Sequence, residues 1–106
     1  LVVILIDNPN ITVELSSHTD DRSTVDYNQD LSQRRAESAV SYIVSKGISE
    51  NRMTAKGYGE SKLIIPNAKT EKEHQINRRT EFKVTSYEFI ENSEDTDTEE
   101  KFFNNN

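Results

Sequence analysis

Two stretches of this chain place residue types together that could do chemistry. His18-Thr19-Asp20 follows a run of alternating apolar and polar residues, and Arg35 lies fifteen positions beyond Asp20. A histidine and a carboxylate could bind a metal, act as a hydrolytic pair or close a turn. A metal needs more ligands than these two, and the other histidine, His74, lies far along the chain. No nucleophile motif accompanies the pair, so hydrolysis lacks its attacking group. The ordinary reading is a turn in which Asp20 accepts bonds from backbone amides.

Arg35 opens a further reading. At about 100° per residue it lies roughly 40° from Leu31, beside the apolar arc of a helix, whereas Arg34 points outside that arc. A guanidinium beside a core-facing stripe must snorkel outward or find an anion. Asp20 is one candidate, giving a structural ion pair, and a bound carboxylate is the other. Asn77-Arg78-Arg79 precedes the last strand and reads as a solvated edge. Gly57 and Gly59 belong to no phosphate-loop pattern and serve backbone conformation.

These residues must be positioned by a single domain. The chain has 106 residues, 32% apolar and 30% charged, without cysteine. That excludes disulfides and thiolate metal sites, but not any compartment. Leu1–Ile6 is a β-branched apolar run that fits a strand or the end of a buried helix. Ile11, Val13 and Leu15 alternate with polar residues, as in a strand covered on one face. Asn28 to Lys46 has helical character and a Gly47 stop. Its apolar half holds Leu31, Ala36, Ala39, Val40 and Ile43, and its solvent half holds Gln33, Glu37, Ser41 and Ser45. Arg52 to Tyr58 and Thr80 to Val84 read as strands, and Thr70 to Glu73 has capping-box spacing. Strands alternating with helices predict an α/β or α+β fold with helices on one sheet face.

Charge narrows the partners. Of nineteen acids and thirteen bases, seven acids and one base lie from Ser86 onward, leaving twelve of each before it. A neutral body without a basic stripe argues against nucleic acid. No run approaches the ~20 apolar residues that span a membrane, so no membrane insertion by this stretch is expected. The acidic end, 86–106, is expected to comprise the end of the last strand and a mobile tail. Leu1–Ile6 carries no export signal and reads as the middle of an element, with the natural start upstream.

The series His18-Thr-Asp20, Tyr27-Asn28, Leu31-Ser32, Arg35-Ala36, Gly47-Ile48, Gly57-Tyr-Gly-Glu60 and Asn77-Arg-Arg79 resembles the OmpA-like peptidoglycan-binding domain. That family includes the C-terminal domains of Pal lipoproteins and MotB-type stator proteins. The likeness covers residues 1–85. It implies an α+β fold, β-α-β-α-β with a further strand on one mixed sheet, in which Leu1–Ile6 ends the first helix and the first strand lies upstream. It also implies a non-enzymatic, cofactor-free module in the periplasm, part of an outer-membrane or envelope protein. Its partner would be peptidoglycan, through the diaminopimelate of the stem peptide. Asp20 matches the residue that binds the diaminopimelate ammonium, and Arg35 the one that binds its carboxylate. Asn28, the backbone around Leu31, and Arg78 match positions lining the same pocket. The helix start near Asn28–Leu31 is expected to add amide groups and positive dipole for that carboxylate. The family usually has glycine where this chain has Ser17, so an adjusted turn is expected there. The rival use of such a fold is a protein-interaction module of a secretion or motility complex with a vestigial pocket.

Overall fold

A computed structural model of the chain describes residues 1–90, so the segment 91–106, most of the expected acidic tail, lies outside the described residues. The described elements are helix α1 (Val2–Asp7), strand β1 (Thr12–His18), helix α2 (Val25–Ser45), a 3-10 turn (Glu50–Arg52), strand β2 (Met53–Gly59), helix α3 (Glu71–Asn77) and strand β3 (Arg79–Ser86). The strands form one mixed sheet in the order β2-β1-β3. β1 runs parallel to β2 and antiparallel to β3. The fold is therefore α+β, with three helices and a mixed sheet, as the resemblance implies.

Leu1–Ile6 resolves in favour of helix. Leu5 is fully buried, with Leu1 and Val2 packed partly against the same core, while Val3, Ile4 and Ile6 are exposed. Leu1, Val2 and Leu5 reach one core together at helical spacing, whereas a strand would point Leu1 and Val2 to opposite faces. The core joins Leu5 to Ile11, Val13 and Leu15 of the β1 region and to Val40 and Ile43 of α2, closed by Ile48 and Met53. Burying each large aliphatic side chain contributes about 1.5–3 kcal/mol, which makes this small cluster the main source of cohesion.

Arg52 sits at the edge of that core, 6% exposed. Its Nε donates to Ile11 O at 3.1 Å, a second nitrogen donates to Asn8 O, and its guanidinium faces the Phe89 ring. It thereby ties the α1–β1 turn to the start of β2. The Phe89 amide donates in turn to Asn10 O at 2.8 Å.

Two details depart from the sequence expectation. Helix α2 begins at Val25, three residues before Asn28, because the Thr24 hydroxyl accepts from the Tyr27 amide and caps it. Gln33, assigned to the solvent half, instead turns to the sheet: its Oε1 accepts from Gly57 N at 2.7 Å and its Nε2 donates to Ala55 O at 3.3 Å. Ser32 is fully buried and accepts from Gly59 N at 2.8 Å, and Gln29 donates to Gly57 O at 2.7 Å. The N-terminal half of α2 thus meets β2 through polar groups. It can do so because Gly57 lets the helix backbone approach: a Cβ there would collide with the Gln33 backbone.

Candidate functional site

β1 ends at His18, and the Thr19 amide then donates to Gly59 O at 2.9 Å, which delivers Asp20 to the carboxyl end of the sheet. Ser17 lies within the extended backbone of β1, where nothing requires glycine. An irregularity in the pairing with β2 follows it, between Ser17 and His18. The loop after Asp20 is pinned by Asn28, which is buried and donates to Asp20 O at 3.1 Å and to Glu60 Oε1 at 2.9 Å. The side chain of Asn28 is engaged in shaping the site.

Asp20 is 8% exposed and surrounded by donors. Its Oδ2 accepts from Arg22 Nη2 at 2.8 Å, Arg22 Nε at 3.2 Å and Arg78 Nη1 at 2.7 Å. Its Oδ1 accepts from the Arg22 amide at 3.1 Å. The two arginines meet again on Glu71, at 2.9 Å from Arg22 Nη1 and 2.7 Å from Arg78 Nη2. Asp20, Arg22, Glu71 and Arg78 therefore close a ring of alternating charge. Burial opposes ionisation of Asp20, but the hydrogen bonds from Arg22 and Arg78 together outweigh it. They hold its carboxyl well below the usual carboxylate range. Glu71 is lowered by the same two arginines, Arg78 first.

Asn77-Arg78-Arg79 is not the solvated edge its sequence suggests. Asn77 is fully buried, and its Oδ1 accepts from the Ile64 and Ile65 amides at 2.8 and 2.9 Å. That fixes the end of α3 and aims Arg78 at Asp20. Arg79 pairs with Glu81 at 2.6 Å and donates to the carbonyls of Asn77 and Lys62. Arg78 is drawn in by the buried Asp20 carboxylate, and Arg79 by Glu81 and the two backbone carbonyls.

Arg35 stands apart. It is exposed, makes no ion pair or hydrogen bond among the described residues, and lines a cavity of about 230 Å³ with Ser17, His18, Arg78, Arg79 and Thr80. The structural ion pair with Asp20 is not formed. Arg78 is the residue common to both: it contacts Asp20 and borders the cavity that Arg35 faces. Leu31, one turn before Arg35, is half-buried. The amides expected to be free near Asn28 are satisfied, since Tyr27 N and Asn28 N both donate to Thr24. Those two amides are engaged in the helix cap, and the positive charge of the site comes from the arginines.

The sequence reading missed Arg22 and Glu71. Their only sequence signal is a charge in a loop and a charge after a capping threonine, which surface residues share. No group of three or more His, Cys, Asp or Glu side chains gathers among the described residues as a metal would need.

Residues 2–78 match the OmpA family. Outer membrane porin F of Pseudomonas fluorescens is 45% identical over 76 residues, which are 72% of this chain and 23% of that protein. The peptidoglycan-associated lipoprotein of Buchnera aphidicola is 38% identical over 80 residues, 76% of this chain and 46% of that protein. The crystal structure of the peptidoglycan-associated lipoprotein from Burkholderia pseudomallei shares the fold with a TM-score of 0.74 and 26% identity. That likeness covers 79% of this chain and 70% of that one. The chain spans less than half the length of either curated relative.

Proposed function

The chain belongs to the OmpA family, and from that premise we propose that it binds peptidoglycan non-covalently by gripping the zwitterionic end of diaminopimelate between Asp20 and Arg35. The observation that carries this reading is the pairing of an ionised, buried Asp20 with an unpaired Arg35, both bordering Arg78. The ammonium of the ligand meets Asp20, whose Oδ1 holds a single donor among the described residues. The ligand carboxylate meets the planar fork of Arg35, and Arg78 turns from Asp20 toward the same carboxylate. Arriving with both charges, the ligand replaces each ion pair it disturbs. Leu31 supplies an apolar contact for the methylene chain, and Asn28 holds the Asp20 loop in place.

Nothing in this chemistry breaks a bond. The module anchors the protein that carries it to the cell wall on the periplasmic side of the envelope, a placement supported by the names of its relatives, an outer membrane porin and a peptidoglycan-associated lipoprotein.

Pull-down with purified diaminopimelate-type sacculi tests the clamp. Asp20→Ala and Arg35→Ala are each expected to abolish retention while keeping the fold, and retention by both variants rejects the proposal. Free diaminopimelate should also compete better than lysine, which lacks the terminal carboxylate, by about 2 kcal/mol or roughly thirtyfold. Equal competition in a calorimetric titration means that this carboxylate is not read.

A further inference from the structure

On the sheet face away from α2 lies a second cavity, of about 160 Å³, which the proposed clamp does not use. Glu14 and His18 of β1, Tyr58 of β2, Lys62, and Glu81 and Lys83 of β3 line it. His18 is 2% exposed, and neither ring nitrogen has a hydrogen-bond partner among the described residues. The nearest candidate, Glu81 Oε1, is 3.7 Å from Nε2, beyond a hydrogen bond. Burial of His18, then the charge of Arg79, lower its pKa, so the ring is neutral at pH 7 and offers one donor and one acceptor.

A buried imidazole left without partners is costly, and native structures rarely tolerate one without a ligand or ordered water. The surroundings hold it firmly. Its ring stacks on Tyr58 with centroids 5.2 Å apart and an interplanar angle of 9°, and the Tyr58 hydroxyl is anchored on Glu14 at 2.8 Å. Lys62 Nζ lies 5.0 Å from the Tyr58 ring centroid. The two carboxylates and two ammonium groups around the cavity cancel in charge. Such a lining suits an uncharged ligand rich in hydroxyl and amide groups, because each carboxylate accepts from a hydroxyl and each lysine donates to an oxygen.

His18 also borders the cavity that holds Arg35 and Arg78, so the two cavities adjoin. Arg79 lines the first and Glu81 the second, two residues apart on β3 and therefore roughly 7 Å along the strand. In a muropeptide two residues separate diaminopimelate from the sugar, a reach of about 7–10 Å when extended. We propose that the His18–Tyr58–Glu81 cavity is a second subsite that takes an N-acetylated amino-sugar ring of the glycan strand, with His18 and Glu81 bonding its hydroxyl and acetamido groups. This subsite rests on the peptidoglycan reading for its biological ligand, but not for its own chemistry.

The test is NMR of the His18 and Tyr58 ring signals while N-acetylglucosamine is added to the folded protein. Saturable shifts are expected in the wild type and in Arg35→Ala, with binding about tenfold weaker in Glu81→Gln, which loses a charged acceptor at an exposed position. Absence of saturable shifts at these rings in the wild type overturns the proposal, as does unchanged affinity in Glu81→Gln. A sugar-free tripeptide of alanine, glutamate and diaminopimelate should leave the Tyr58 signals in place, since Tyr58 does not border the Arg35 cavity, and Tyr58 shifts equal to those from the sugar also overturn it. If the sugar shifts these rings while Asp20→Ala and Arg35→Ala still retain sacculi, the subsite stands and the clamp alone fails.

Discussion

Two buried charges flank β1, and they are satisfied in opposite ways. Arg52, below the start of the strand, donates to the backbone carbonyls of Ile11 and Asn8. Asp20, just past its end, accepts mainly from the side chains of Arg22 and Arg78, which are 48% and 29% exposed. Backbone carbonyls cannot leave, so Arg52 is a fixed rivet between two turns. Exposed guanidinium groups can move to water or to Glu71, so the partners of Asp20 can be exchanged for a ligand. Comparable burial, 6% and 8%, therefore fixes structure in one place and, in the proposed clamp, serves recognition in the other.

Removing the two charges should separate these roles. Arg52→Met leaves two carbonyls without their charged donor and should cost about 2–3 kcal/mol. That corresponds to a fall in melting temperature of roughly 10 °C or more for a domain of this size. Asp20→Ala frees two arginines that water can serve, and its melting temperature should fall by only about a third as much. Calorimetry showing equal losses would erase the distinction drawn between rivet and exchangeable ring.

Acid should probe the same contrast with a smaller effect. His18 has a folded pKa below its ordinary 6.5, so the unfolded chain binds more protons, and stability declines as pH falls below 6.5. Asp20 also has a lowered folded pKa, so its contribution is complete above its ordinary 3.8 and is lost as pH falls further below that value. Denaturant midpoints measured from pH 7 to 2 should fall in these two stages. Asp20→Asn should flatten the lower stage and leave the upper one, and an unaltered lower stage would detach Asp20 from acid sensitivity.

The smallest expected effect concerns Arg22, which in the proposed clamp competes with the ligand ammonium for Asp20. Arg22→Ala should tighten diaminopimelate binding by about two- to fivefold, the scale of an exposed ion pair. Weaker binding in a titration would make Arg22 a support for Asp20 and not its competitor.

Much of this architecture is legible residue by residue. The alternation of Ile11, Val13 and Leu15 places three side chains in the core, and Thr70 with Glu73 forms the reciprocal cap its spacing announces. Arg35 is marked out by its place on the helix wheel, and it does face a cavity. Gln33 misleads because polar residues usually mark the wet side of a helix, and Gln29 and Ser32 join it. Here they contact β2, where Gly57 brings backbone groups within reach of their side chains.

Short-range rules acting within a few residues, namely periodicity, capping and the turn at Gly47, fix β1 and its core face, the body of α2 and the capped start of α3, but leave Leu1–Ile6 open between strand and helix. The meeting of charges was decided only by tertiary structure. Arg22 reaches Glu71 across 49 positions and Arg78 reaches Asp20 across 58. Pairing over such separations depends on where the closed sheet carries each loop, and no local pattern encodes that destination.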